Sequence, residues 1–94
     1  MNEHMNAETS LPFAQRQTLD QLALLQPATV LAIEAPIQTP EWQCWLEEIG
    51  FLPGETVAIL ARGAPGGDPL VVRVGDSTFA LRRAEAACVV LENM

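Results

Sequence analysis

The residues of this chain able to do chemistry are few and badly placed for catalysis. The single histidine, His4, lies in a polar N-terminal stretch of Asn, Glu and Met, and there is no tyrosine or lysine. A nucleophile needs a base positioned beside it, and no Ser-His, Cys-His or lysine pairing is available for that role. The carboxylates Asp20, Asp68, Asp76 and Glu85 each stand where a helix cap or turn accounts for them. The sequence therefore reads as a non-enzyme. Cys44 and Cys88, with His4, lack the local ligand pair of a zinc motif. Glu41 with Glu48, or Glu47 with Glu48, could hold a divalent ion such as Fe²⁺ or Zn²⁺ weakly through oxygen, although a solvated helix face explains those acids better. No tightly held cofactor is expected. The loop Gly63-Ala64-Pro65-Gly66-Gly67-Asp68-Pro69 is rich in glycine, yet a phosphate cradle needs a following helix N-terminus, and a β-branched strand follows here. It reads as a hairpin loop. Arg82-Arg83, the one basic pair, is read as solvated or salt-bridged.

These residues belong to a chain of 94 residues, one domain's worth, that is 49% hydrophobic, 5% aromatic and 18% charged. Twelve acids against five arginines give a net charge of −7. That sign disfavours nucleic acid and anionic membrane surfaces, both of which select clustered positive charge. No apolar run reaches the ~20 residues of a membrane helix, so direct insertion is not expected. With no basic-then-apolar leader and two distant cysteines, a cytoplasmic location is expected.

Residues 1–10 read as a flexible leader and 11–94 as a single domain. Thr18-Leu19-Asp20-Gln21 has capping-box form, and Leu19, Leu22 and Leu25 recur at helical spacing, predicting a helical turn to about Leu25, before Pro27. Thr29–Ala35 is a strand, apolar on both faces apart from Glu34, so its inward face is undetermined by pattern. Thr39-Pro40-Glu41 predicts a helix start with Thr39 as N-cap. Trp42, Trp45, Leu46 and Ile49 then form one apolar stripe, which Gly50 ends. Cys44, Gln43, Glu47 and Glu48 fall off the stripe. Pro53-Gly54 has the form of a type II turn, and Gly75-Asp76 that of a two-residue hairpin turn. Strands follow over Glu55–Arg62, Leu70–Val74 and Thr78–Arg82, with a helical turn at Arg83–Ala86 and a last strand at Cys88–Glu92.

Five short strands and one amphipathic helix predict a mostly β fold: a small five-stranded SH3-like barrel with a short N-terminal helical turn, its first and last strands paired. Trp42 and Trp45 serve either as the helix's core face or as an anchor for a partner. A small barrel cannot bury two indoles completely, so one is expected to be partly exposed.

Ile49-Gly50-Phe51-Leu52-Pro53-Gly54, the Gly63–Pro69 loop and Phe79-Ala80-Leu81-Arg82-Arg83-Ala84-Glu85-Ala86-Ala87, with the opening Thr18-Leu19-Asp20-Gln21-Leu22, together resemble the FeoA family, the small cytosolic component of bacterial ferrous iron transport. The resemblance covers about 75 residues in order. It implies an SH3-like barrel without catalytic activity, acting with the FeoB membrane transporter by binding and modulating its cytosolic GTPase part. The same domain also ends metal-dependent repressors, which implies an alternative, a divalent-metal-responsive interaction module. Few aromatics argue against a Pro-rich peptide groove. The expected partner surface is therefore the helix and the turn after it: Trp42, Cys44, Trp45, Glu47, Glu48 and Leu52. Uncovered Trp42 or Trp45 would also support a weak homodimer.

Overall fold

The computed structural model describes residues 17–63 and 66–92. The expected leader, His4 and the Ala64-Pro65 portion of the loop lie outside the described residues. Five strands, β1 (Ala28–Ile33), β2 (Thr56–Arg62), β3 (Leu70–Val74), β4 (Ser77–Leu81) and β5 (Val89–Leu91), form one antiparallel sheet in the order β4-β3-β2-β1-β5. Helix α1 (Glu41–Glu48) follows β1, and the single turn α2 (Arg83–Ala86) joins β4 to β5.

Strand β1 turns the corner of the barrel. Its start pairs with β2, Ala28 opposite Val57, and its end pairs with β5, Ile33 opposite Val89. The register shifts between Val30 and Ala32, so Val30 and Ile33, three apart, both face inward while Leu31 is left 38% exposed. A bulge adds a residue to one strand and breaks the period of two. That settles the inward face that the apolar sequence leaves open. Strand β3 and the first part of β2 alternate simply, with Val57, Ile59, Leu70 and Val72 fully buried, before the β2–β3 register shifts between Ile59 and Ala61. Together with Leu46, Phe51, Leu81, Val89 and Leu91 they make one core.

Among the described residues β4 and β5 share no ladder; the chain's own N-terminal part covers the free edge of β5. Thr18 bridges Val90, and the Leu91 N–H donates to the Gln17 carbonyl at 3.0 Å. An open edge would otherwise invite pairing with another chain. The capping box forms as the sequence predicts, the Thr18 N–H donating to Gln21 Oε1 at 3.2 Å. The helical turn, however, is shorter than its leucine spacing suggests. It is a 3-10 turn over Leu19–Gln21; Leu22 is already extended and buried, and Leu25 is 64% exposed rather than part of a buried face. The reason lies far along the chain. The Arg62 guanidinium donates to the Leu22 carbonyl at 2.7 Å and the Asp20 carbonyl at 3.3 Å, and the Leu25 N–H donates to the Ile59 carbonyl at 2.8 Å. Groups that would continue the helix are engaged by β2 instead.

The turns behave as their residues dictate. Gly54, at φ +93°, occupies the third position of a turn closed by the Glu55 N–H on the Leu52 carbonyl at 3.0 Å, as a type II turn requires. In the Gly63–Pro69 loop the Gly63 N–H donates to the Pro69 carbonyl at 2.7 Å. Asp68 Oδ1 accepts from the Arg83 N–H at 3.0 Å and so caps α2, while Glu85 Oε1 accepts from the Arg82 N–H at 2.8 Å. Gly63 is hemmed in: a β-carbon there would stand 2.8 Å from the Asp68 carbonyl oxygen and 2.9 Å from that of Pro69. Both are backbone atoms of a tethered loop. Gly63→Ala is expected to lower stability by about 1–3 kcal/mol in urea unfolding, the usual range for an unrelieved clash. A neutral result would mean that the loop yields freely despite its tie to α2.

Candidate protein-docking surface

Helix α1 is set by its two ends. Pro40 already has helical angles, and the Trp42 N–H donates to the Thr39 carbonyl at 3.0 Å. The Thr39 hydroxyl does not make the N-cap bond expected of it; Thr39 Oγ1 is buried without a partner. Proline at the first helical position supplies the start, since its fixed φ suits the helix and it has no N–H to satisfy. At the other end the Phe51 N–H donates to the Leu46 carbonyl at 3.0 Å and the Gly50 N–H to the Glu47 carbonyl at 3.1 Å, with Gly50 at φ +119°. These two bonds are the Schellman pattern. They throw the chain sharply back, burying Phe51 and leaving Leu52 46% exposed just beyond the helix.

The apolar stripe is buried unevenly. Leu46 is fully inside, Trp42 and Ile49 pack half-buried against the core, and Trp45 at the edge is 38% exposed. Cys44 and Glu48 stand exposed one turn apart, Cys44 Sγ 3.9 Å from Glu48 Oε2. Half-buried Glu47 turns towards Gln43, whose Nε2 donates to its Oε2 at 3.5 Å. Of the six residues expected to meet a partner, Cys44, Trp45, Glu48 and Leu52 are thus exposed, Glu47 is half-buried, and Trp42 belongs more to the core than to the surface. The exposed set combines an indole edge and a leucine with the Glu48 carboxylate, and half-buried Glu47 lies next to it; both acids accept hydrogen bonds from neutral neighbours. An apolar anchor with an acidic rim suits docking to a basic surface.

Other exposed apolar side chains escape the sequence reading: Ile37, 92% exposed, and Leu24, 52% exposed. Ile37 sits between Pro36 and Gln38-Thr39-Pro40, a turn context that could have signalled exposure. Arg82 and Arg83 use their backbone N–H groups in capping and leave their side chains exposed. Among the described residues, no group of three or more His, Cys, Asp or Glu side chains is arranged to hold a metal.

The two thiols differ sharply. Cys88 is 3% exposed and donates to the Ala84 carbonyl at 3.5 Å. Burial pushes its pKa up, and the negative charges of Glu85 and Asp20 add to the rise. Because the thiolate is the nucleophile, a maleimide is expected to modify Cys44 alone in the native protein, and Cys88 only on unfolding. Since Cys88 holds its proton more tightly when folded than when unfolded, its linkage costs nothing below the ordinary thiol pKa. Stability then falls as pH rises from that value towards the raised one. Two thiols modified at equal rates in native buffer would contradict this burial.

Among the described residues no helix is long and apolar enough to cross a membrane. The family model of the FeoA domain matches residues 17–93. Among solved structures, a FeoA protein of Stenotrophomonas maltophilia complexed with zinc is 39% identical, with a TM-score of 0.74 over 81% of this chain and 89% of that one. It is described as a prokaryotic SH3-domain protein with a suggested role as a bacterial ferrous iron transport activating factor. Iron(II) transport protein A of Clostridium thermocellum is 33% identical, with a TM-score of 0.67 over 81% of this chain and 44% of that one. A manganese-dependent transcriptional repressor, 19% identical, shares the fold at a TM-score of 0.69 over 94% of this chain and 47% of that chain. No curated protein matches the chain.

Proposed function

Because this chain belongs to the FeoA family, we propose that it is a non-enzymatic accessory protein of bacterial ferrous iron transport, working in the cytoplasm by binding and modulating the cytosolic GTPase part of a FeoB-type membrane transporter. The observation that carries the docking role is the outer side of α1 and the turn after it, where Trp45 and Glu48 stand exposed on a helix locked at its C-terminal end and Leu52 stands exposed just beyond it. A rigid element presenting an apolar anchor beside charge loses little freedom on binding. Such a surface binds and has no reacting group, so its effect on the partner is conformational: it favours whichever state of the GTPase it fits better. The test is GTP hydrolysis by the isolated cytosolic domain as this protein is added. The expected result is a saturable change in rate; the transport-activating role suggested for the Stenotrophomonas relative speaks of transport and leaves the sign of that change to the measurement. No change in rate together with no pull-down would overturn the proposal.

The zinc held by that relative favours a second reading, in which a divalent ion adjusts partner affinity. Cys44 and Glu48, one helical turn apart, would be the first pair to examine. Calorimetry with Fe²⁺ and Zn²⁺ decides the matter. Binding no tighter than about 100 µM leaves the protein-docking role alone.

A further inference from the structure

A concave surface lies where the segment Leu24–Pro27 runs beside β2. Leu24 bridges Ile59, and Leu25 is held at φ +65° by its N–H bond to the Ile59 carbonyl. A bulky residue in the left-handed region is a true outlier, a conformation that glycine would adopt without strain. Here the strained residue is a leucine, and its side chain is 64% exposed, so core packing does not account for it. Strain of this kind tends to gather at ligand clamps. The side chain walls one side of a concavity of about 520 Å³, within the size range of binding pockets. Pro27, Ala58, Leu60 and Gly75 continue the lining, and Arg73 is the one charged residue in it. Arg73 stands opposite Ala58 in register and next to Thr78. Among the described residues the Arg62 guanidinium makes side-chain hydrogen bonds and the Arg73 guanidinium makes none. Glu55 approaches the rim at Gly75, where its Oε1 lies 3.3 Å from the position a β-carbon would take.

We propose that this concavity, walled by Leu25 and closed by Arg73, is a binding site for a leucine-rich segment of a partner protein bearing an acidic side chain. The apolar lining takes the leucines, and the guanidinium takes the carboxylate as a two-pronged donor. On a chain of net charge −7 an acidic ligand is repelled almost everywhere, so Arg73, the one charged residue of the lining, selects where it lands, on the side of the pocket away from Glu55 at the rim. The surface is separate from α1, and the assignment stands or falls independently of the transporter reading.

The experiment titrates the full-length protein with an end-capped, fluorescent peptide of leucine, alanine and glutamate, followed by anisotropy and by amide shifts. The expected shifts fall at Leu25, Ala58, Leu60 and Gly75, with about tenfold weaker binding when glutamine replaces glutamate. Arg73→Gln, at an exposed position, is expected to abolish that preference. Leu25→Gly is expected to hold or raise Tm, by relieving the backbone, while weakening the peptide. Equal affinity for both peptides overturns the proposal, as do shifts confined to α1. Equally tight binding of a peptide whose sole carboxylate is its free C-terminus overturns the assignment to an acidic side chain. A fall in Tm with unchanged binding would show Leu25 to be a purely structural turn.

Discussion

Phe51→Ala is expected to remove about 3–5 kcal/mol of stability, the range for emptying a buried aromatic site. Phe51 is fully buried and is the largest such side chain in the core. Its position makes the loss hard to absorb. Its N–H closes the C-terminal end of α1 on the Leu46 carbonyl at 3.0 Å, so the residue that fills the core also fixes the helix exit. Leu46 itself is fully buried, and the pair matches the apolar contact that commonly accompanies this helix ending. Neighbours could collapse into the space only by moving α1, which the sharp turn at Gly50 resists. A domain of this size holds about 5–15 kcal/mol in all, so the variant would lose about a fifth or more and melt roughly 12 °C lower at least. Phe51→Leu keeps most of the volume and is expected to cost under about 1.5 kcal/mol. Thermal and urea unfolding followed by circular dichroism would measure both. A loss below 1 kcal/mol for the alanine variant would place the ring outside the core.

Elements fixed by neighbouring residues were legible in the sequence. Pro40 and Gly50 bracket α1, Pro53-Gly54 makes its turn, Gly75-Asp76 joins β3 to β4, and Val57/Ile59 with Leu70/Val72 show which face goes inward. Elements decided at long range were not. The bulge in β1 comes from one strand serving both β2 and β5, and no local pattern encodes it. The leucine spacing of residues 19–25 favours a longer helical turn, but Arg62 and Ile59 capture that backbone from about 40 residues away. Thr39 carries the residue type of an N-cap without its bond, because Pro40 already starts the helix. The same division runs through the proposed docking surface. The off-stripe positions of Cys44 and Glu48 follow from helical period alone. That Trp42 is tucked in while Trp45 stays at the edge depends on how α1 sits on the barrel, and Leu52 owes its exposure to the helix ending.

That difference between the two tryptophans yields the largest functional effect. On the function proposed above, Trp45→Ala is expected to weaken binding to the transporter's cytosolic domain by about 2 kcal/mol or more, roughly thirtyfold, as for a tryptophan at the centre of an interface. Because Trp45 is already 38% exposed, its removal should leave Tm little changed. Trp42→Ala is the informative opposite: its ring packs against the core, so stability falls first and binding only in consequence. Charge should act separately from the apolar anchor. Reversing both acids, Glu47→Lys with Glu48→Lys, changes the local charge by four units and should slow association and flatten its dependence on salt, since rim charges act mainly on encounter. Half-buried Glu47 is engaged with Gln43, so Glu48 is expected to carry more of the effect. Surface plasmon resonance at two ionic strengths separates the components. Unchanged affinity and unchanged salt dependence in the doubly reversed protein, with native melting, would remove α1 as the docking surface.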